Sequence, residues 1–395
     1  MDFQFSEEQQ MLAASVRRLI DAHYDFEARK SVIASSEGWS ADLHARLSEL
    51  GLSALPYTEE FGGFGVGALD MIPVMQELGR GLFHEPIVSS LGAAGRILAA
   101  CATGTNFAAG AAPLVQSPRA MEVLQQVVRG ELRLAFAHAE ADARWVRQHV
   151  ATRASRDTDG RWHLRGSKAV VVHAPSAQWL VLSARTAGDV RDTQGISLFL
   201  LPTSLSGLQL HTYRTYDDQR AADLSIDALV SDESLLGVAG DALPLIDEAI
   251  DWAQALHAGE ALGVMDEANR LTLEYLKTRR QFGVPIGAFQ ALQHRMVDMM
   301  ISAEQSRSIT YLACDRVDAA SAGTIAAAER SRAVALARVK LCEAARHIGQ
   351  EAVQLHGGMG MTIEMKVSHC FKRLTALSQL YGDLDVQLER LARMH

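Results

Sequence analysis

The chain has 395 residues, long for one hydrophobic core, and this length predicts two or three domains. Its composition, 48% hydrophobic and 22% charged, is that of an ordinary globular protein. A balance of 47 acidic against 38 basic residues leaves a net charge of −9, which argues against a general affinity for nucleic acid.

The N-terminal stretch MDFQFSEEQQMLAASVRRL lacks a basic start followed by an apolar run, so no export signal is expected. The most apolar segments, such as Leu180 to Val181 and Ile196 to Leu201, break well short of the ~18 residues that span a bilayer. A cytoplasmic location without membrane crossing is expected. Cys101, Cys314, Cys342 and Cys370 have no CxxC or metal-like spacing, which predicts reduced, buried thiols and no metal site.

The first domain, residues 1–130, reads as helical. Ser6 begins an amphipathic run, with Gln9 at the spacing of a capping box, and ALDMIPVMQELGRGL continues the helical pattern. The glycine-rich EEFGGFGVG lacks GxGxxG or GxxxxGK and follows no strand, so it reads as a surface turn in preference to a phosphate cradle. Over residues 131–240 the period shortens towards two: RWHLRGSKAVVVHA follows an Asp159-Gly160 turn, and QWLVLSAR and GISLFLLP add two strands. From 241 to 395 long helical patterns return, broken only briefly, as in an antiparallel bundle. The stripe Met296, Met299, Met300 reads as core.

Two motifs in the last domain carry chemistry. In TRRQFGVPIGAFQALQHRM, Arg279 ends a helix and is followed at fixed offsets by Phe282, Gly283 and Gln290. An arginine fork suits phosphate, an aromatic ring covers a planar group, and a glutamine bonds an amide or phosphate. A helix-ending Arg and a glycine cap account for part of this without a ligand. In QEAVQLHGGMGMTIEM, Gln354 precedes Gly357, Gly358 and Gly360, whose missing Cβ atoms allow backbone to approach a dinucleotide closely; an interhelix turn is the competing account.

In this order RxxFGxxxxxxQ and QxxGGxG, on an α-β-α chain, resemble the acyl-CoA dehydrogenase family over nearly the whole length. YDFEARK, KTRRQFGVPIGAFQALQHRMVDM and VQLHGGMGMT through FKRL to LYGD are similar to bacterial small subunits of pimeloyl-CoA dehydrogenase and related heteromeric enzymes. The resemblance implies an α+β fold of N-terminal helical domain, middle β-barrel-like domain and C-terminal four-helix bundle. It implies noncovalent FAD, trans-2,3-dehydrogenation of an acyl-CoA thioester, and reoxidation by an electron-transferring flavoprotein. Carried over, Arg279, Phe282, Gln290, Gln354, Gly357 and Gly358 contact FAD across a subunit interface, which implies a homo-oligomer or a homologous partner subunit.

The middle domain departs from the family pattern. Where a TEPxxGSD-like loop is common this chain reads HAEADARWV, keeping Glu140 but not the Thr or the GSD. The KxWIT strand reads Lys168 to Val172, so Val170 and Val172 stand for Trp and Thr and leave backbone donors as their means of reaching the flavin. Most members carry the catalytic Glu directly after an aromatic residue, where this chain has Gly382 after Tyr381; a minority carry it where this chain has Ala253. Asp383, one residue later, is the expected base, with helix capping as the competing role and Glu260 and Glu140 as lesser candidates. The expected function is FAD-dependent dehydrogenation as one subunit of a heteromeric complex; the alternative is a non-catalytic subunit that completes a homologous partner's site.

Overall fold

The structure, a computed structural model, describes residues 5–107 and 113–394. The capping box forms as expected: the Gln9 N–H donates to Ser6 Oγ at 3.3 Å, and the Ser6 N–H donates to Gln9 Oε1 at 2.8 Å, opening α1 (Glu7–His23). The N-terminal domain continues through α2 (Phe26–Ala34), α3 (Ala41–Glu49), α4 (Ala68–Gly81), α5 (Ile87–Leu91), α6 (Ala93–Thr103) and α7 (Pro118–Val128). The glycine-rich stretch is a turn leading into α4. The first N–H groups of that helix, Ala68 and Leu69, donate to the Asp318 carboxylate at 2.7 and 2.9 Å, so a side chain from far along the chain acts as the cap.

The middle domain is one mixed sheet. Its strands are β1 (Leu134–Ala137), β2 (Arg153–Arg156), β3 (Trp162–Val172), β4 (Trp179–Arg185), β5 (Ile196–Pro202), β6 (Leu208–Arg214), β7 (Arg220–Val230) and β8 (Leu235–Leu236). They pair in the order β6-β7-β3-β2-β4-β5-β8, with β1 added in parallel to β4. The path runs from β6 at one end to β8 at the other. The β3–β7 register slips between Lys168 and Val171, and this bulge matters for the site.

The last domain consists of α8 (Leu243–Thr278), a small hairpin of β9 (Arg280–Gln281) and β10 (Val284–Pro285), α9 (Gln290–Ser321), α10 (Ala327–His356), α11 (Lys366–Gln379) and α12 (Leu384–Ala392). Helices α8 to α11 form the bundle. α8 runs unbroken for 36 residues and serves two cores. Its first half, with Ile246, Ile250 and Leu256, packs into the N-terminal domain, and its second half, with Ala261, Val264 and Met265, packs into the bundle. Gly79 and Gly263 let α4 and α8 meet backbone to backbone: a Cβ on Gly263 would lie 1.9 Å from the Gln76 carbonyl oxygen. Met296 and Met299 are core, but Met300 is exposed, because it lies at the margin of the narrow seam that α9 buries through Met296, Met299, Ala303 and Ser306. All four cysteines are free and buried. Among the described residues no helix is long and apolar enough to cross a membrane.

One buried ion pair network joins the three domains. Arg373 of α11 donates through Nε to Glu260 of α8 at 2.6 Å and through Nη1 to Asp217, in the β6–β7 turn, at 2.6 Å. His257 lies 3.0 Å from the second Glu260 oxygen. The Asp217 carbonyl oxygen is 3.0 Å from the ring of His84, which belongs to the N-terminal domain. Burial opposes charge on Glu260, but Arg373 and the hydrogen bond from His257 outweigh it and hold the carboxyl down at about 2.

A carboxyl depressed in this way contributes stability in full above its unfolded pKa of about 4.3, and that contribution is lost as the pH falls towards the folded value. Glu260→Gln is therefore expected to lower the urea midpoint at pH 7 and to flatten its fall between about pH 5 and pH 2. Equal slopes for the two proteins across that window would show that the network has no linked stability.

Candidate active site

A cavity of about 710 Å³ lies where the three domains meet, within the range of small-molecule sites. The N-terminal domain contributes Phe83, Glu85, Val88 and Gly92; the sheet contributes Phe136, His138, Val170, Val172 and His173; the bundle contributes Ile250, His257, Glu260, Arg373 and Tyr381. Eight described non-glycine residues have a left-handed φ, and five of them, Arg144, Trp145, Val170, His173 and Tyr381, line this cavity. A sixth is Phe282. Such backbone costs about 1–3 kcal/mol at each residue and persists only where surrounding contacts enforce it, which is characteristic of functional walls.

The Val170 conformation has an identifiable hold. Its N–H donates to Asp223 Oδ1 at 2.8 Å, and the Tyr213 hydroxyl donates to the same oxygen at 2.9 Å. Val170 and Val172 both line the cavity, and the Val170 N–H, one of the backbone donors expected for the flavin, is engaged by Asp223.

Four carboxyl groups line the cavity. Glu140 accepts from Lys168 Nζ at 2.7 Å and from the N–H groups of Ala151 and Thr152 at 2.7 and 3.0 Å. Burial opposes its charge, yet Lys168 and these donors hold it below the usual carboxylate range. Asp217 and Glu260 share Arg373. Glu85 has no cationic partner among the described residues and accepts from the Ser40 N–H.

Asp383 is not among the lining residues. It caps α12, with Oδ1 accepting from the Val386 N–H at 3.1 Å, so the carboxylate expected in the cavity takes the competing capping role in this geometry. The preceding turn is pinned: Arg338 donates to the carbonyl oxygens of Leu377 and Leu380 at 3.0 and 2.8 Å, and Gln387 to that of Tyr381 at 3.1 Å. At Gly382, where most relatives of this pattern carry the base, φ is +109° and a Cβ would meet Val386 at 2.7 Å. Ala253 is buried and packs near Gly92, again outside the lining.

The other six predicted cofactor residues gather elsewhere, at one exposed end of the bundle. Arg279 follows α8, Phe282 lies in the β9–β10 hairpin, and Gln290 opens α9. Gln354 is in the last turn of α10, directly before Gly357 and Gly358. The two groups adjoin, because Tyr275 of α8 stacks on His356 of α10 at 4.4 Å and Arg295 bonds Glu351 at 2.6 Å. Phe282 is 91% exposed, and nothing lies within 4 Å of a Cβ built on Gly357 or Gly358. The side chains of Arg279, Gln290 and Gln354 have no ion pair or hydrogen bond among the described residues. A free guanidinium, two free amides, an uncovered aromatic ring and open glycine backbone are the donor set that an anionic, planar dinucleotide such as FAD requires.

Sequence reasoning missed Arg373 and His257, whose partners lie in other domains, and Arg338 and Asp223, which hold the turn and the bulge. No local motif marks any of them. Among the described residues, no group of three or more His, Cys, Asp and Glu is placed to hold a metal ion.

Three family profiles match the chain in order: the acyl-CoA dehydrogenase N-terminal domain over residues 6–105, the middle domain over 135–229 and the C-terminal domain over 241–395. Among curated relatives, acyl-CoA dehydrogenase IpdE2 of Mycobacterium tuberculosis is 29% identical, with 98% of this chain and 96% of that protein covered. The solved structure of PigA with FAD and proline is 26% identical with a TM-score of 0.85, covering all of this chain and 98% of that one. A variant of the Tcur3481-Tcur3483 steroid ACAD is 26% identical with a TM-score of 0.82, covering 98% and 97%. The chain belongs to the acyl-CoA dehydrogenase family, FAD-dependent oxidoreductases that act on the CH–CH bonds of acyl-CoA-like substrates.

Proposed function

We propose that this chain acts in the cytoplasm as one subunit of a hetero-oligomeric acyl-CoA dehydrogenase, with a homologous subunit supplying the carboxylate that removes the α-proton. The observation that carries this reading is that no carboxyl group of the cavity wall, among the described residues, is both ionised near neutral pH and free of an ion pair. Glu140, Asp217 and Glu260 are ion-paired, Glu85 is pushed up to about 8 by burial and so carries a proton, and Asp383, outside the wall, caps a helix. An ion-paired carboxylate held well below its usual pKa is a poor acceptor for an α-proton. A glutamate at Gly382, where the family pattern puts it, would have to adopt a left-handed backbone at φ +109° and displace the Val386 side chain. Similarity to a steroid ACAD whose name joins Tcur3481 to Tcur3483 supports a two-component enzyme.

Within this reading the cavity receives the acyl thioester, and Val170 and Val172 wall it on the sheet side. Arg279, Gln290 and Gln354 reach across a subunit interface to the phosphates and amides of a cofactor seated against the neighbouring subunit, Phe282 covers it, and the Gly357-Gly358 backbone lets it approach. Bound FAD supplies the acceptor for the hydride that leaves the β-carbon. An electron-transferring flavoprotein is the proposed oxidant of the reduced enzyme. The second reading, a subunit that only completes its partner's site, draws on the same closed turn at Gly382. It differs in leaving this chain's cavity without a role in turnover.

Rapid-mixing measurement of flavin reduction by acyl-CoA tests the assignment of the base. The assembled hetero-oligomer is expected to be reduced, this chain alone is not, and Asp383→Asn in the complex should stay within a few-fold of the parent rate. A loss of ~10²-fold or more in Asp383→Asn with the fold intact would instead make Asp383 the general base. Arg279→Ala should cut FAD retention on dialysis by about one to two orders of magnitude, since a hydrogen bond to a charged group is worth roughly 1.5–3 kcal/mol. Unchanged flavin occupancy would remove the bundle end from the cofactor site.

A further inference from the structure

We propose that Glu85 makes the acyl cavity selective for acyl groups bearing an oxygen acceptor beyond the thioester carbonyl, over plain alkyl chains of the same length. This rests on the reading of the cavity as the acyl-thioester site. Glu85 sits between α4 and α5, lines the cavity beside Phe83 and Val88, and is only 2% exposed. It differs in kind from the other three carboxyl groups of the wall, each of which has a cation within ion-pair distance. Both of its oxygens lie against one donor, the Ser40 N–H, at 3.0 and 2.8 Å.

The nearby cation, Arg133, is committed elsewhere. Its Nε donates to the Ser176 carbonyl oxygen at 2.8 Å, and its guanidinium lies over the Trp39 ring at 4.2 Å. Burial without a paired charge pushes Glu85 up to about 8, so near neutral pH it is a carboxylic acid with one O–H to donate. The bond from Ser40 satisfies an acceptor and leaves that donor without a partner among the described residues. A buried donor left unpaired carries its full desolvation penalty, which an alkyl chain in the cavity cannot offset. A keto or hydroxyl oxygen on the acyl group can accept from it. Sites built around such a bond reject the analogue that lacks it far more strongly than apolar walls discriminate size.

Equilibrium binding to the enzyme as isolated tests this. The probes are S-alkyl-CoA thioethers, which cannot be dehydrogenated: a medium-chain alkyl form and the oxoalkyl and aminoalkyl forms of the same length. The oxoalkyl probe is expected to bind at least ~10-fold tighter, Glu85→Leu to abolish the difference by weakening the oxoalkyl probe alone, and Glu85→Gln, which keeps a donor, to retain most of it. Retention of the full preference in Glu85→Leu overturns the proposal, as does equal binding of both probes by the parent enzyme or tighter binding of an aminoalkyl probe than of either. Failure of every probe to bind the parent enzyme overturns the acyl-site reading together with it. If Glu85→Leu does not fold, the parent protein and Glu85→Gln still decide between these outcomes.

Discussion

The guanidinium of Arg373 is shared between Glu260 of the bundle and Asp217 of the sheet domain, and the Asp217 carbonyl oxygen extends the link to His84 of the N-terminal helices. The cavity exists because these three domains are held at this spacing, and the network forms part of its wall. A charge taken out of water needs good geometry to repay its desolvation. Arg373 achieves it with two carboxylates at 2.6 Å, one from each of two domains. The same pairing that secures the architecture takes Glu260 and Asp217 out of proton-transfer chemistry.

The proposed cofactor surface and the proposed acyl chamber occupy different parts of this chain. The cavity is enclosed by all three domains, whereas the two bundle-end motifs are displayed outward, with the side chains of Arg279, Gln290 and Gln354 free among the described residues and Phe282 uncovered. Rigid elements support both. Helix ends position Arg279, Gln290 and Gln354, and the antiparallel run of α8, α9 and α10 brings residues distant in sequence to one end. A motif on helix ends loses little entropy on binding, because its backbone is already ordered.

Much of the architecture was legible in the sequence, because it follows from local periods. The Ser6-Gln9 box, the strands Trp179–Arg185 and Ile196–Pro202, and the long helical runs after Ala242 all carry their own signal. The bundle-end residues were singled out by the family resemblance of their two motifs, and the fold brings them to one end of the bundle. The cavity wall was not. Arg373 lies 113 and 156 residues from its partners, and Asp318 caps a helix 249 residues away. At Asp383 the sequence left capping and catalysis open, since an N-cap and a base are both carboxylates at a helix start. The bond to Val386 favours the cap. The exposure of Met300 escaped notice because its i+4 spacing from Met296 is that of a shared helix face, whereas α9 buries only the narrow seam of Met296, Met299, Ala303 and Ser306.

The left-handed residues around the cavity bear on how this protein would respond to selection for heat resistance. Replacing Arg144, Trp145 or Val170 by glycine would release local backbone strain of roughly 1 kcal/mol or more each, so a screen that scored melting temperature alone would be drawn to the chamber wall. The gains would come from the segments that give the chamber its shape. Thermal robustness and ligand fit are thus in direct competition along this one wall, and the outer faces of α1, α3 and α7 are where robustness could be raised without touching it.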